Sequence, residues 1–381
     1  MKQKSKSLII TIAVNVCRVL LASTFIFSGF VKANDPLGTV YKLEDYISAM
    51  TWFTLPHTFL LASAIILAFF EFTLGTHLLF GINRKNVSRT AVVFMAIMTL
   101  LTIYIAIADP VSDCGCFGDV IILSNEATLA KNIILFGASV LICRYYRLQK
   151  DFLSAGVKWF IVLISFCFII GYAIYCVISL PLIDFRPYKI GTNLLKGATT
   201  AGQTFDIKIV YKKGEETLEL TTEDDDPDST WTYVETRRTP LDTSDNAIAD
   251  FHITDEFDND ITEDILAADE YAFLLIIPHL TKADEGCVDK INEVYDYATD
   301  YDIGFYCLTS SSDKSSQTYW SDHTGAEYSY YIANDRILKT VVRAQPGLVL
   351  LHNGIIIRKW SNYNMPGESD LLETFSLLSK E

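Results

Sequence analysis

Basic residues are scarce in the second half of this chain. From Asp184 to Glu381 there are 17 Lys and Arg against 37 Asp and Glu, a balance of −20. Nucleic acid binds clustered positive charge, so it is excluded as a partner of that half. Long hydrophobic runs are missing there too, yet they fill residues 1–183, where 14 Lys and Arg stand against 9 Asp and Glu. No Cys-x-x-Cys spacing occurs among the eight cysteines. Nor is there a repeat or a pair of interrupted hydrophobic segments, which removes the usual sequence support for a transporter. Two regions of opposite character therefore meet near residue 184, in line with a prior of about 100–200 residues per domain.

Five segments are long and apolar enough to span a bilayer: Leu8–Val31, His57–Phe80, Thr90–Ala108, Leu129–Tyr145 and Trp159–Leu180. A span needs about 20 apolar residues because the hydrocarbon layer is about 30 Å thick. The first run, preceded by Lys2, Lys4 and Lys6, is read as a span and not as a cleavable signal peptide. It is too long, and no small-residue cleavage site follows it. Lys and Arg collect in the N-terminal tail, in the second connection (Arg84, Lys85, Arg89) and in the fourth (Arg144, Arg147, Lys150, Lys158). The third connection carries Asp109, Asp113, Asp119 and Glu126. This alternation predicts a cytoplasmic N-terminus, with the third connection and everything after Leu180 facing outward. The expected setting is a bacterial inner membrane with a periplasmic C-terminal domain.

After the fifth span, Asp184–Gly191 reads as an exit segment, and residues 184–248 as a β-rich extension. Phe205–Val210 and Thr217–Leu220 predict a hairpin about Lys213-Gly214, and Glu223–Asp228 a solvated acidic loop. From residue 249 the pattern predicts strands at Phe251–Thr254, Tyr271–Pro278 and Gly304–Leu308, and helices at Asp284–Thr299 and Lys314–Asp322. A hairpin follows, Gly347–Leu351 and Ile355–Trp360 about Asn353-Gly354, and then a helix Ser369–Leu378. The expected fold class is thus an α-helical membrane bundle, four helices plus a fifth, followed by an α/β soluble domain. The domains expected are 1–150, 151–183, 184–248 and 249–381.

Cys114-Gly115-Cys116, within Asp113–Asp119, is the sharpest chemical feature. Cα atoms two residues apart lie within or near disulfide range, and an outward position is the oxidising side. Gly115 and Gly118 allow the tight turns such closure needs. Three readings stay open: a redox-active dithiol, a structural disulfide, and a metal site lacking a nearby His to complete its ligands. Within the spans, Arg18 and Glu71 are expected to face protein at similar depth as an intramembrane polar pair. A structural ion pair is one reading of them, and a site for a quinone headgroup or proton transfer is the other.

Arg18–Gly38, with Ser28-Gly29, Lys32 and Asp35-Pro36, resembles the start of DoxX-family membrane proteins. Glu71, Gly75 and Leu79-Phe80-Gly81 continue the likeness, and Asp113–Asp119 is similar to the loop of the MauE branch. The resemblance covers roughly residues 14–145. It implies a four-helix bundle with thiol–disulfide or quinone-linked chemistry toward a secreted or envelope client, and Cys114 and Cys116 as the catalytic residues. A single Cys-Gly-Cys departs from the two separate pairs of the four-helix vitamin K epoxide reductase pattern. Residues 249–380, with Phe251–Thr262 and the Gln345-Pro346 peptide, resemble the redoxin branch of thioredoxin-like proteins. That likeness implies a cis proline beside a partner-binding face formed by Gln345 and Pro346. Where those proteins carry a cysteine pair, this sequence has His279–Asp284. The whole architecture resembles Bacteroidetes envelope proteins, and implies either a membrane thiol–disulfide oxidoreductase or maturation factor, or a non-catalytic scaffold presenting a binding module. Its partners would be the lipid bilayer and an envelope protein.

Overall fold

The computed structural model describes residues 2–50, 55–108, 115–121, 123–150, 153–195, 205–213, 216–221, 232–240, 251–268 and 270–378. The chain divides into two compact units, Met1–Phe185 and Arg186–Glu381.

In the first unit, α1 (Lys2–Asn34), α3 (His57–Phe80), α4 (Arg84–Ala108), α5 (Asn125–Arg144) and α6 (Ala155–Ser179) are long, and α2 (Pro36–Met50) is short. Among the described residues, five helices are long and apolar enough to cross a membrane: Leu8–Asn34, His57–Phe80, Arg84–Ala108, Asn125–Arg144 and Gly156–Ser179. All five expected spans are present, and the chain is a multi-pass membrane protein. The first connection folds as α2, whose Val40, Leu43 and Ile47 pack on Leu60 and Ala64 of α3.

The bundle closes around Leu21, Phe25, Leu74, Leu78, Ala91, Met95 and Leu135. Its tightest seam lies between α1 and α3. A methyl on Gly29 would come within 2.5 Å of the Phe72 backbone nitrogen, and one on Gly75 within 2.7 Å of the Ile26 nitrogen. Small residues at these points let the two backbones touch, as packing in lipid favours. Aromatic rings seat α6: Phe30 stacks on Tyr172 at 5.2 Å, and Phe69 meets Phe166 edge-on at 5.4 Å. At the end of α1, Asn34 accepts a hydrogen bond from the Tyr172 hydroxyl (2.8 Å) and donates to the Ile183 carbonyl (2.8 Å).

Among the described residues, the second unit holds two sheets. β1 (Phe205–Lys213), β2 (Glu216–Thr221) and β3 (Thr232–Pro240) form an antiparallel sheet in the order β2-β1-β3. The expected hairpin strands are there, with β3 in addition, while Gly214 and the acidic run Glu223–Asp228 lie outside the described residues. The larger sheet contains β4 (Ile253–Thr254), β5 (Tyr271–Ile276), β6 (Gly304–Thr309), β7 (Tyr330–Ala333), β8 (Gly347–His352) and β9 (Ile355–Ser361). Its order is β4-β7-β6-β5-β8-β9, with β5, β6 and β7 mutually parallel and β8 and β9 antiparallel to their neighbours. Helices α7 (Thr262–Ala268), α8 (Val288–Asp300), α9 (Lys314–Thr324), α10 (Asp335–Val341) and α11 (Glu368–Leu378) complete it.

Every strand and helix expected after residue 249 is found, and α7, β7 and α10 are additional. Ile291, Val294 and Ala298 of α8 pack with Phe273, Leu275, Leu348 and Leu350 of the sheet. The Asn353-Gly354 turn has φ angles of 49° and 73°, as a two-residue hairpin requires. Residues 186–195 were expected to belong to a separate extension, but they lie along β9. The Gly191 amide donates to the Ile356 carbonyl (2.7 Å), the Leu194 amide to Gly354 (2.9 Å), and the Ile356 amide to Thr192 (2.9 Å). The Lys359 ammonium binds the Tyr188 carbonyl, and the Tyr188 ring is buried against Phe251.

Candidate functional site

Residues 115–121 make a turn between α4 and α5. Cys116 is half-buried and disulfide-bonded, while Cys17, Cys143, Cys167, Cys176, Cys287 and Cys307 are free. Cys114 lies outside the described residues. Gly115 and Gly118 have φ of 62° and 53°, in the left-handed region that glycine tolerates best, and the Gly118 amide closes onto the Gly115 carbonyl at 3.1 Å. Both positions are also tight for a side chain. A methyl on Gly115 would meet Lys42 at 3.1 Å, and one on Gly118 would meet Val31 at 3.0 Å. Between them Phe117 packs on Phe27, with ring centroids 5.5 Å apart, and the Lys131 ammonium stands 4.2 Å over its face.

The turn is fastened to the bundle through the Cys116 carbonyl. It accepts hydrogen bonds from the Ser28 hydroxyl (2.8 Å) and the Lys32 ammonium (3.0 Å). The same ammonium donates to the Ser28 oxygen (2.6 Å) and to Glu71 Oε2 (2.8 Å). Lys32 is 6% exposed and Glu71 2%, so this is a buried ion pair whose cation has all three protons engaged. Ser28 and Lys32 lie four residues apart on one face of α1, and Glu71 faces them from α3.

Arg18 and Glu71, expected to pair, have different partners. The Arg18 guanidinium donates to the Lys150 carbonyl (2.8 Å) and the Leu79 carbonyl (3.5 Å). The seam through Gly29 and Gly75 sets the register of the two antiparallel helices. It brings Glu71 level with Ser28 and Lys32, and Arg18 level with Leu79 at the far end of α3. Arg18 and Lys32 are 14 residues apart, or ~21 Å along a helix at 1.5 Å per residue. That separation leaves no common site for a quinone headgroup between Arg18 and Glu71. Arg18 instead serves the end of α3, where a cation beside the last carbonyls is favourable.

Sequence reasoning missed Ser28, Lys32 and Lys131 as members of the site. Lys32 was assigned to the connection after a helix thought to stop at Val31, whereas α1 runs to Asn34. The four-residue spacing of Ser28 and Lys32 was the available signal.

In the second unit, the Gln345-Pro346 peptide is cis and immediately precedes β8. The Gln345 carboxamide donates to the His279 carbonyl (2.9 Å), and its own carbonyl accepts from the Asp284 amide (3.1 Å). His279 Nε2 lies 3.1 Å from Asp335 Oδ1, and Lys339 donates to Asp335 Oδ2 at 2.7 Å. Burial opposes ionisation of Asp335, but its bonds to His279 and Lys339 outweigh that and hold it down at about 2. Neither cysteine of this unit is poised to react. Burial, with Asp284 beside it, pushes the Cys287 thiol up to about 11, and complete burial raises that of Cys307.

No curated protein and no solved structure matches the chain. Residues 10–145, which contain the turn, Ser28, Lys32, Glu71 and Lys131, match the model of the family described as methylamine utilisation protein MauE. That match and the five membrane-length helices fit a MauE/DoxX-like membrane protein.

Proposed function

We propose that this protein exchanges disulfides with an envelope client at the outer face of the bacterial inner membrane, with Cys114 and Cys116 as the exchanging pair. The observation that carries the reading is the disulfide at Cys116, set in a half-buried turn whose carbonyl is held by Ser28 and Lys32. In this reading the partner sulfur is Cys114, which lies outside the described residues. The MauE likeness supports a role in envelope maturation, and the lack of Lys and Arg in the connection between α4 and α5 supports its outward placement.

The second unit would recruit the client. Its strand order, the crossover through α8 and the cis Gln345-Pro346 peptide support a thioredoxin-like docking module, with Gln345 and Pro346 on the binding face. The absence of cysteine from His279–Asp284 supports binding without chemistry there. That same absence favours the second reading, a scaffold in which the bundle only anchors the module.

Acid trapping of intact cells followed by alkylation separates the two. Exchange predicts a pair that is partly reduced in growing cells and a Cys116→Ser variant that accumulates mixed disulfides. A permanently oxidised pair, together with a Cys114→Ser/Cys116→Ser variant that behaves as wild type, would leave only the scaffold.

A further inference from the structure

We infer that the second unit binds a zwitterion with an apolar side chain, a free amino acid or a short peptide, in the hollow between β9, α11 and the first turn of α8. The inference stands apart from the exchange reading and uses none of its residues.

The hollow has a volume of about 390 Å³, inside the range of about 300–1,000 Å³ usual for small-ligand sites. Buried Trp360 of β9 lines it, and the Arg358 guanidinium, two residues earlier on the same strand, stands 5.4 Å from the ring centroid. Arg358 donates to the Thr374 hydroxyl of α11 at 2.9 Å, and Lys290 of α8 donates to the Met365 carbonyl at 3.0 Å. Each cation is thus held by one hydrogen bond to a neutral acceptor and keeps further N–H groups for a ligand. Asp370, Glu373 and Leu377 line the hollow from α11, at three- and four-residue spacing on one face. Asp370 accepts from the Gly367 amide at 3.0 Å. Among the described residues, none of these four charged side chains is in an ion pair, and the Glu373 carboxylate accepts no hydrogen bond.

A second hollow, of about 170 Å³, shares Arg358, Thr374 and Leu377 with the first. Its other walls are apolar: Leu350, Ile357 and Leu378. A charged chamber and an apolar one therefore meet at the bond between Arg358 and Thr374.

Two cations and two carboxylates around one cavity disfavour a ligand with a single charge. An anion on Arg358 and Lys290 would face Asp370 and Glu373, in a half of the chain with 17 Lys and Arg against 37 Asp and Glu. A cation on the carboxylates would face the guanidinium and the ammonium. A zwitterion meets a counter-charge at each end. Its carboxylate takes the paired donors of Arg358 together with Lys290, and its ammonium takes Glu373 and Asp370. Its side chain enters the smaller hollow, where removing carbon from water adds to binding.

The test is isothermal titration calorimetry of the full-length protein in lipid nanodiscs. L-leucine and L-leucyl-L-leucine are the zwitterions, and whichever binds more tightly tells a free amino acid from a peptide. The N-acetyl form of each lacks the ammonium, and the amide form lacks the carboxylate. The expected result is binding of at least one zwitterion, with its two single-charge forms weaker by about tenfold or more, as the loss of hydrogen bonds to a charged group implies. Arg358→Gln and Glu373→Gln should each weaken the zwitterion by a similar factor with an unchanged far-UV circular dichroism spectrum, both side chains being exposed. No binding of either zwitterion at millimolar concentration overturns the site. An N-acetyl form as tight as its parent makes it an anion site, and an amide form as tight makes it a cation site; either overturns the zwitterion. Binding unaltered by either substitution puts the ligand elsewhere and overturns the assignment too.

Discussion

Replacing Lys32 and Glu71 singly and together measures how firmly the sulfur turn is held. The ammonium makes three hydrogen bonds of 2.6–3.0 Å, to Ser28, Glu71 and the Cys116 carbonyl. Glu71→Leu leaves a buried cation with neutral acceptors only, and Lys32→Leu leaves a buried carboxylate opposite a hydroxyl. Stranding one charge of a buried pair costs about 3–5 kcal/mol, comparable to the about 2.5–3.5 kcal/mol that insertion scales assign to a charge at mid-bilayer. The double variant strands nothing and fills the same space with apolar atoms, so it should lose no more than about 2 kcal/mol. The single losses should therefore exceed the double by several kcal/mol when summed, a large coupling in a double-mutant cycle. Reversible unfolding in mixed micelles, followed by far-UV circular dichroism over a detergent titration, reads all four proteins. Single variants within about 1 kcal/mol of wild type would refute the buried pair, and so would a double variant as unstable as the sum of the singles.

Gly29→Ala should destabilise the bundle by about 1–3 kcal/mol, because its methyl would meet the backbone of Ala68 and Phe72 at 2.5–2.9 Å and neither can yield. Thermal unfolding in the same micelles checks this. Iodoacetamide at pH 8 should label Cys287 and Cys307 only after denaturation, since burial keeps both thiols protonated; mass spectrometry of native and unfolded protein decides. Asp335 is ionised more readily folded than unfolded, so its contribution is present above pH ~4 and fades as pH falls toward 2. Asp335→Asn should consequently lower hydrogen-exchange protection around β5 and β8 at pH 7, but by progressively less below pH 4.

The spans were legible because twenty consecutive apolar residues have few alternatives to a helix in lipid. Elements of the second unit were legible where periodicity was strong, as in α8 and the β8–β9 hairpin. β7 and α10 were not, being only four and seven residues long and stabilised by pairing with β6 and β4 and by an Asn334 cap. In the site, the cysteines were visible as a motif but their support was not. Depth counted from the ends of each helix placed Arg18 opposite Glu71, and only the register fixed by Gly29 and Gly75 gives Glu71 to Lys32. The helical spacing of Val40, Leu43 and Ile47 is present in the first connection, where α2 forms.

The strap of residues 186–195 along β9 bears on how the second unit can be handled. A strand at the rim of a sheet offers a row of open amides and carbonyls to any other chain, and proteins cover such rims to stay soluble. Here the cover is supplied by the polypeptide that leaves the bundle. A soluble fragment cut near residue 249, just ahead of β4, would bare that rim and invite self-association. One beginning at Arg186 carries its own cover.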